Sequence, residues 1–262
     1  MRLEIISRVP ERRSKVPPIL FVHGFWHGAW CWDEHFLPYF AQRGYACFAP
    51  SLRGHGGSEG ADRLRWTSLA DYVADVVEVA QTLDRPPILI GHSMGGLIVQ
   101  KYLQLHSAPA AVLLASVPPA GLLATTLRFL MRHPLATLQS GLTLSVYPLV
   151  ATPELYRSSF LSPGLPEREL RKFHARVQDD SFRALLDMVL MDLPQPRKAK
   201  PTPMLVLGAD DFVVRAWQVR ATARAYGVAA QIFPEMRHAM MLDIGWRSVA
   251  DRIAEWLDRQ AL

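Results

Sequence analysis

The stretch Pro87-Ile88-Leu89-Ile90-Gly91-His92-Ser93-Met94-Gly95-Gly96-Leu97-Ile98 decides the fold. Ile88 to Ile90 is a short apolar run with β-branched residues, the pattern of a strand buried on both faces. Leu97 to Leu105 then carries apolar residues at helical spacing. Between them lies a Gly-x-Ser-x-Gly string, which acquires a mechanical meaning from that context. The serine occupies a sharp strand-to-helix turn that side chains on its neighbours would crowd. Such a turn lifts the Ser93 hydroxyl above the sheet and aims fresh helix N–H groups, together with the positive end of the helix dipole, at a reacting atom beside it. Ser93 is therefore the first catalytic candidate.

Working outward, short strand-like runs alternate with helix-like ones. The strands are expected at Ile19 to His23, Tyr45 to Ala49, Ile88 to Gly91, Ala111 to Ala115, Met204 to Leu207 and Ala230 to Phe233, with Leu3 to Arg8 as an edge. Helices are expected at Ser68 to Leu83, Leu97 to Leu105, Ala216 to Tyr226 and Trp246 to Leu257. The alternation predicts an α/β fold with a mostly parallel central sheet flanked by helices. The rhythm breaks between about Pro119 and Lys200, where prolines and the amphipathic stretches Thr125 to Arg132 and Phe182 to Leu193 replace strands. The reading is a core of residues 1–118 and 201–262, with residues 119–200 forming a helical insertion and a proline-stiffened connector.

Composition narrows the class. The chain has 262 residues, half of them apolar, enough for one sizeable core. Met1 to Lys15 mixes charged and apolar residues and has no uninterrupted apolar run, so neither a secretory signal nor a membrane span is expected, and a cytoplasmic location follows. Stable membrane association is not expected either. Cys31 and Cys47 lack metal-type or redox spacing and read as buried free thiols. The net charge of +5 comes partly from arginines spread through the second half, unlike the compact basic stripe of a nucleic-acid binder. No dinucleotide or phosphate-binding glycine motif and no cluster of metal ligands occurs, so no cofactor or metal is implied.

A serine hydroxyl needs an aligned base, which in turn needs an acid to hold it. His92 lies too close to Ser93 along the backbone to serve. His238 follows the last expected strand, in the loop Glu235-Met236-Arg237-His238-Ala239 that leads to the final helix. Asp210 and Asp211 follow the strand that starts at Met204, and spacing alone does not choose between them.

The chain order Ser, Asp, His combined with this turn resembles the α/β-hydrolase superfamily, in its serine-nucleophile esterase and lipase-like branch. The resemblance covers about Pro18 to Ser116 and Pro203 to Leu257. It implies that the acid stands fourth in a Gly-x-x-Asp turn, which selects Asp211, and that His238 is the base. It also implies oxyanion donors at the backbone N–H groups of Phe25, after His23-Gly24, and of Met94. The loop His23 to Trp32 is similar to that of small-ester hydrolases and of plant methylesterase or hydroxynitrile-lyase relatives. Trp26, beside one donor, is the candidate substrate contact, whereas Trp30 and Trp32 read as core. Leu52-Arg53-Gly54-His55-Gly56-Gly57-Ser58 is a second family-like loop, read as structural.

Two departures narrow the chemistry. The turn holds Ser93 where dehalogenases and epoxide hydrolases carry an aspartate, and Ala239 follows His238 where hydroxynitrile lyases carry a lysine. The expectation is a serine carboxylesterase acting on an apolar small-molecule ester through an acyl-enzyme. A lactone or carbon-carbon bond hydrolase with the same triad, and a non-catalytic ligand-binding module, are the alternatives. The insertion is expected to cap the site, with Leu127, Phe129, Leu130, Phe182, Leu186, Met188 and Met191 either lining the pocket or packing cap helices together.

Overall fold

Among the described residues, seven strands form one sheet in the order β1-β3-β2-β4-β5-β6-β7. They are β1 (Ile5–Arg8), β2 (Ile19–Val22), β3 (Cys47–Pro50), β4 (Ile88–His92), β5 (Ala111–Leu114), β6 (Met204–Ala209) and β7 (Ala230–Phe233). The structure is a computed structural model that describes residues 1–10 and 16–260. Residues 11–15 of the N-terminal segment and 261–262 of the second core segment therefore lie outside the described residues. β1 pairs antiparallel with β3, and every other pairing is parallel. All residues of β2, β4 and β5 are buried, because helices cover both faces of a parallel sheet and leave no solvated side to demand alternation.

Helices α1 (Trp30–Asp33), α2 (Phe36–Gln42), α3 (Leu69–Thr82) and α4 (Met94–Leu105) alternate with the first strands, and α10 (Ala216–Ala225) and α11 (Trp246–Leu257) with the last. α3 starts with a reciprocal cap: Ser68 Oγ accepts the Asp71 N–H at 3.1 Å, and Asp71 Oδ2 accepts the Ser68 N–H at 2.9 Å. Trp32 is wholly buried with its ring centroid 5.0 Å from that of Phe21, so it belongs to the core, as expected. Cys31 and Cys47 are buried free thiols. α4 begins at Met94, three residues earlier than expected: Gly95 and Gly96 weaken helix propensity, but the turn at Ser93 starts the helix outright.

Between β5 and β6 the chain runs through α5 (Leu123–Arg132), α6 (Pro134–Thr143), α7 (Pro153–Phe160), α8 (Glu167–His174) and α9 (Phe182–Leu186), with no strand among the described residues there. Wider π-type turns extend α9 over Asp187–Met191. No helix of the described residues is long and apolar enough to cross a membrane.

The topology selects the position of the site. From β2 the chain moves to β3 on one side and later to β4 on the other, so the carboxyl ends of β2 and β4 flank a crevice where connections diverge. Open parallel sheets bind ligands at such a switch point. The His23 loop leaves β2, and Ser93 follows β4, at this place.

Candidate active site

Ser93 holds φ 52° and ψ −116°, a conformation that side chains disfavour. Its surroundings enforce it: the Ser93 N–H donates to Leu114 O at 3.1 Å, and Ser93 O accepts the N–H groups of Leu97 and Val117 at 3.2 and 3.1 Å. The reason for glycine two residues on is steric. A Cβ on Gly95 would stand 2.1 Å from Val22 O, so only glycine lets α4 approach the end of β2. Strain at one serine is thereby held by contacts from two neighbouring strands.

The structure brings Ser93, His238 and Asp211 together although they are far apart in sequence. Ser93 Oγ lies 2.9 Å from His238 Nε2, and His238 Nδ1 lies 3.1 Å from Asp211 Oδ2. All three are buried. The other Asp211 oxygen accepts the N–H groups of Val213 and Val214 at 2.6 and 2.7 Å, which fixes the carboxylate. Asp210 instead is exposed and accepts the Ala216 N–H at 3.0 Å at the start of α10. The two adjacent acids thus divide into a buried partner of His238 and a surface helix cap. His92 Nε2 donates to His238 O at 2.9 Å and ties the loop of His238 to the end of β4. Burial, with help from the neighbouring His238, pushes the His92 pKa well below its ordinary value, so it is a neutral donor.

The loop after β2 presses against Ser93. A Cβ on Gly24 would lie 2.9 Å from Ser93 Cβ and 3.0 Å from His92 O, and this close approach sets Phe25 beside the hydroxyl. Neither the Phe25 N–H nor the Met94 N–H meets an acceptor among the described residues. Histidines hold the loop's carbonyls. His23 Nδ1 donates to Gly24 O at 2.9 Å while its Nε2 accepts the Leu52 N–H at 3.0 Å. His27 Nδ1 donates to Phe25 O at 2.6 Å while its Nε2 accepts the Tyr156 hydroxyl at 2.7 Å. Each ring is used as donor and acceptor at once, which requires the neutral form. Burial pushes His27 down to about 4 and His23 well below its ordinary value, consistent with those roles.

Trp26 lines the cavity in front of Ser93, with a left-handed backbone (φ 66°) and its Nε1 donating to Val146 O at 3.1 Å. Its N–H donates to Asp180 Oδ2 at 2.9 Å. The same carboxylate oxygen meets His55 Nε2 at 2.9 Å, and the other accepts the Ser181 N–H at 2.7 Å and the Tyr72 hydroxyl at 3.3 Å. Burial opposes a charge on His55, but the Asp180 carboxylate outweighs it and leaves the pKa raised. Asp180, from the segment between β5 and β6, thus anchors both the Leu52 to Ser58 loop and the loop carrying Phe25. Sequence reasoning did not find it, because an acid in an Asp-Asp-Ser string before α9 reads as a helix cap. The role of His27 is likewise not legible in the sequence, since its partner Tyr156 lies in a distant helix.

The cavity measures about 250 Å³. Its walls are Phe25, Trp26, Val117, Phe129, Val146, Leu149, Phe182, Leu185, Leu186, Met188 and Val213, with hydroxyls from α5 and α6. Those of Thr125, Thr126 and Thr137 are taken by the carbonyls of Val213, Leu122 and His133. The Ser140 hydroxyl on this wall is buried without a hydrogen-bond partner among the described residues, and the rest of the wall facing Ser93 is apolar in effect. Of the residues expected to line it or to pack the insertion, Phe129, Phe182, Leu186 and Met188 do line it. Leu127, Leu130 and Met191 are instead exposed, because they occupy the opposite sides of their helical segments.

The sequence model of the alpha/beta hydrolase family matches residues 19–255. The chain belongs to this family. It is similar to a non-heme chloroperoxidase of Burkholderia pyrrocinia, 39% identical over 108 residues that make up 39% of this chain and 38% of that protein. It is also similar to epoxide hydrolase A of Mycobacterium tuberculosis, 32% identical over 104 residues, 39% of this chain and 32% of that one. The matches thus span about two fifths or less of these relatives' length. Among solved structures, a monoacylglycerol lipase of Paleococcus ferrophilus superposes with a TM-score of 0.72 at 19% identity over 98% of both chains, which shows the shared fold. In this alpha/beta hydrolase the family architecture holds Ser93, His238 and Asp211 at the carboxyl ends of β4, β7 and β6, respectively.

Proposed function

We propose that this alpha/beta hydrolase is a serine carboxylesterase that cleaves a small apolar ester through an acyl-enzyme. The observation that carries the reading is the continuous hydrogen-bonded line from Ser93 Oγ through His238 to Asp211, opening on an apolar cavity. Ser93 Oγ attacks the ester carbonyl carbon as His238 Nε2 takes its proton, and Asp211 holds the Nδ1–H and stabilises the imidazolium. The N–H groups of Phe25 and Met94 receive the oxyanion, which gains from donors already oriented and free of other acceptors. Collapse expels the alcohol, protonated by His238. Water, deprotonated by the same nitrogen, then attacks the acyl carbonyl and releases the acid and Ser93.

The helical insertion, residues 119–200, acts as the cap, with Trp26 as the substrate contact nearest the oxyanion donors. A cavity of about 250 Å³ falls at or below the small end of ligand sites, roughly 300–1,000 Å³, and favours a compact acyl or alcohol group. The test is labelling with a fluorophosphonate probe, run beside a panel of p-nitrophenyl esters of increasing acyl length. Labelling and turnover should both vanish in Ser93→Ala. A folded wild-type protein that takes no label and hydrolyses no ester removes the proposal and favours a ligand-binding role.

A further inference from the structure

Ten of the seventeen large apolar side chains left exposed among the described residues lie between Leu123 and Met191. α5 and α6 pack against each other, and each turns one side to the cavity and another outward. The inner sides, including Phe129, Thr137 and Gly141, line the cavity that holds Ser93. The outer side of α5 carries Leu127, Leu130 and Met131, and that of α6 carries Leu135, Leu138 and Leu142, at helical spacing. Met131, Leu135 and Leu142 are 76%, 81% and 77% exposed. Leu190 and Met191, just past α9 in the segment that contacts α5, add to the same exposed set. A patch of this kind on a soluble surface requires a partner.

Charge decides which partner. No Asp or Glu occurs from residue 119 to 153, while Arg132 stands exposed at the end of α5. Of the acids flanking Leu190 and Met191, Asp187 is buried against Arg183, and Asp192 pairs with Lys101. A second copy docking symmetrically would face arginine with arginine and would find no acid on the helices to answer it. The stripe also lacks the tryptophan and tyrosine anchors that dominate protein interfaces. A lipid surface suits both features, taking up flexible Leu and Met side chains and tolerating, or when anionic attracting, the exposed Arg132.

We propose that the outer side of α5 and α6, the helices whose inner sides line the cavity, docks on a lipid surface. This goes beyond the esterase reading and does not depend on the role of Ser93. It revises the expectation of no stable membrane association, which rested on the lack of a long apolar run and could not register two short stripes brought side by side.

The test is vesicle sedimentation with phosphatidylcholine alone and with added phosphatidylserine. The wild type and Ser93→Ala should sediment equally, more strongly with the anionic lipid. The triple variant L135Q, L138Q and L142Q should lose binding by about tenfold or more while hydrolysing a water-soluble short ester at the wild-type rate, because none of the three side chains lines the cavity. Three results overturn the proposal: wild type left in the supernatant with both vesicles, equal sedimentation of wild type and triple variant, or a dimer in analytical ultracentrifugation that the triple variant dissociates.

Discussion

Replacing Ser93 with glycine should stabilise the protein relative to Ser93→Ala while both variants lose turnover. The backbone of Ser93 sits at φ 52° and ψ −116°. A residue with a Cβ is expected to lose about 1–3 kcal/mol by being held in so sparsely populated a region. Alanine keeps the Cβ and therefore the strain, and both variants lose the 2.9 Å contact with His238, so that loss cancels in the comparison. Glycine removes the strain and gives back about 0.5–1 kcal/mol as extra unfolded-state entropy. The net expectation is about 1 kcal/mol in favour of glycine, or about 2–4 °C in Tm for a chain of this size. Urea unfolding and calorimetry of the two variants, with p-nitrophenyl ester hydrolysis alongside, measure it. If the glycine variant proves equal to or less stable than the alanine variant, the turn is not strained and the reasoning fails.

Other perturbations probe the loop after β2 and the groups around it. Gly24→Ala places a Cβ 2.9 Å from Ser93 Cβ and should push the Phe25 N–H out of line, costing up to the roughly 10²–10³-fold in kcat attached to one oxyanion donor and lowering Tm through overpacking; unchanged kcat would exclude Phe25 as a donor. Asp180→Asn removes the carboxylate shared by Trp26 N–H and His55, and should lower kcat more than it changes KM while reducing Tm, which steady-state kinetics and thermal melts check together. Acidification should destabilise the fold through His27. Its pKa falls from the ordinary 6.5 to about 4 on folding, so the unfolded chain binds more protons between those values. Stability contributed by neutral His27 is complete above pH 6.5 and is lost on the way down to pH 4, by about 3 kcal/mol for a shift of this size. His55, whose pKa is raised, acts in the opposite sense and loses its contribution as pH rises through its folded value. Urea midpoints at pH 7 and pH 4.5 should therefore differ more for wild type than for His27→Gln, and equal differences would reject the assignment.

The strands that build the sheet were readable because burial on both faces forces continuous runs such as Ile88 to Ile90 and Ala111 to Leu114, and these stand out from their surroundings. The short α1 and α2 were not, since Trp30 to Gln42 is held by aromatic packing of Trp32, Phe36 and Phe40 against Phe21 rather than by a helical pattern of its own. In the site, Ser93 declared itself through a local constraint: the turn, its glycines and the helix that follows are contiguous in the chain. Asp211 needed the family resemblance before the structure showed Asp210 capping a helix and Asp211 facing His238.

The amino-acid sequence by itself determined the sheet, the place of the turn and the residue types that meet there, because backbone propensity and burial patterning act over a few residues at a time. Only the tertiary structure decided that Asp180 holds the Phe25 loop through Trp26, that burial keeps His27 neutral between Phe25 O and the Tyr156 hydroxyl, and that Leu135, Leu138 and Leu142 face outward while Thr137 and Gly141 face Ser93. Those outcomes depend on which distant groups share a buried space and on which side of a helix finds it, quantities that arise only when the chain has closed on itself.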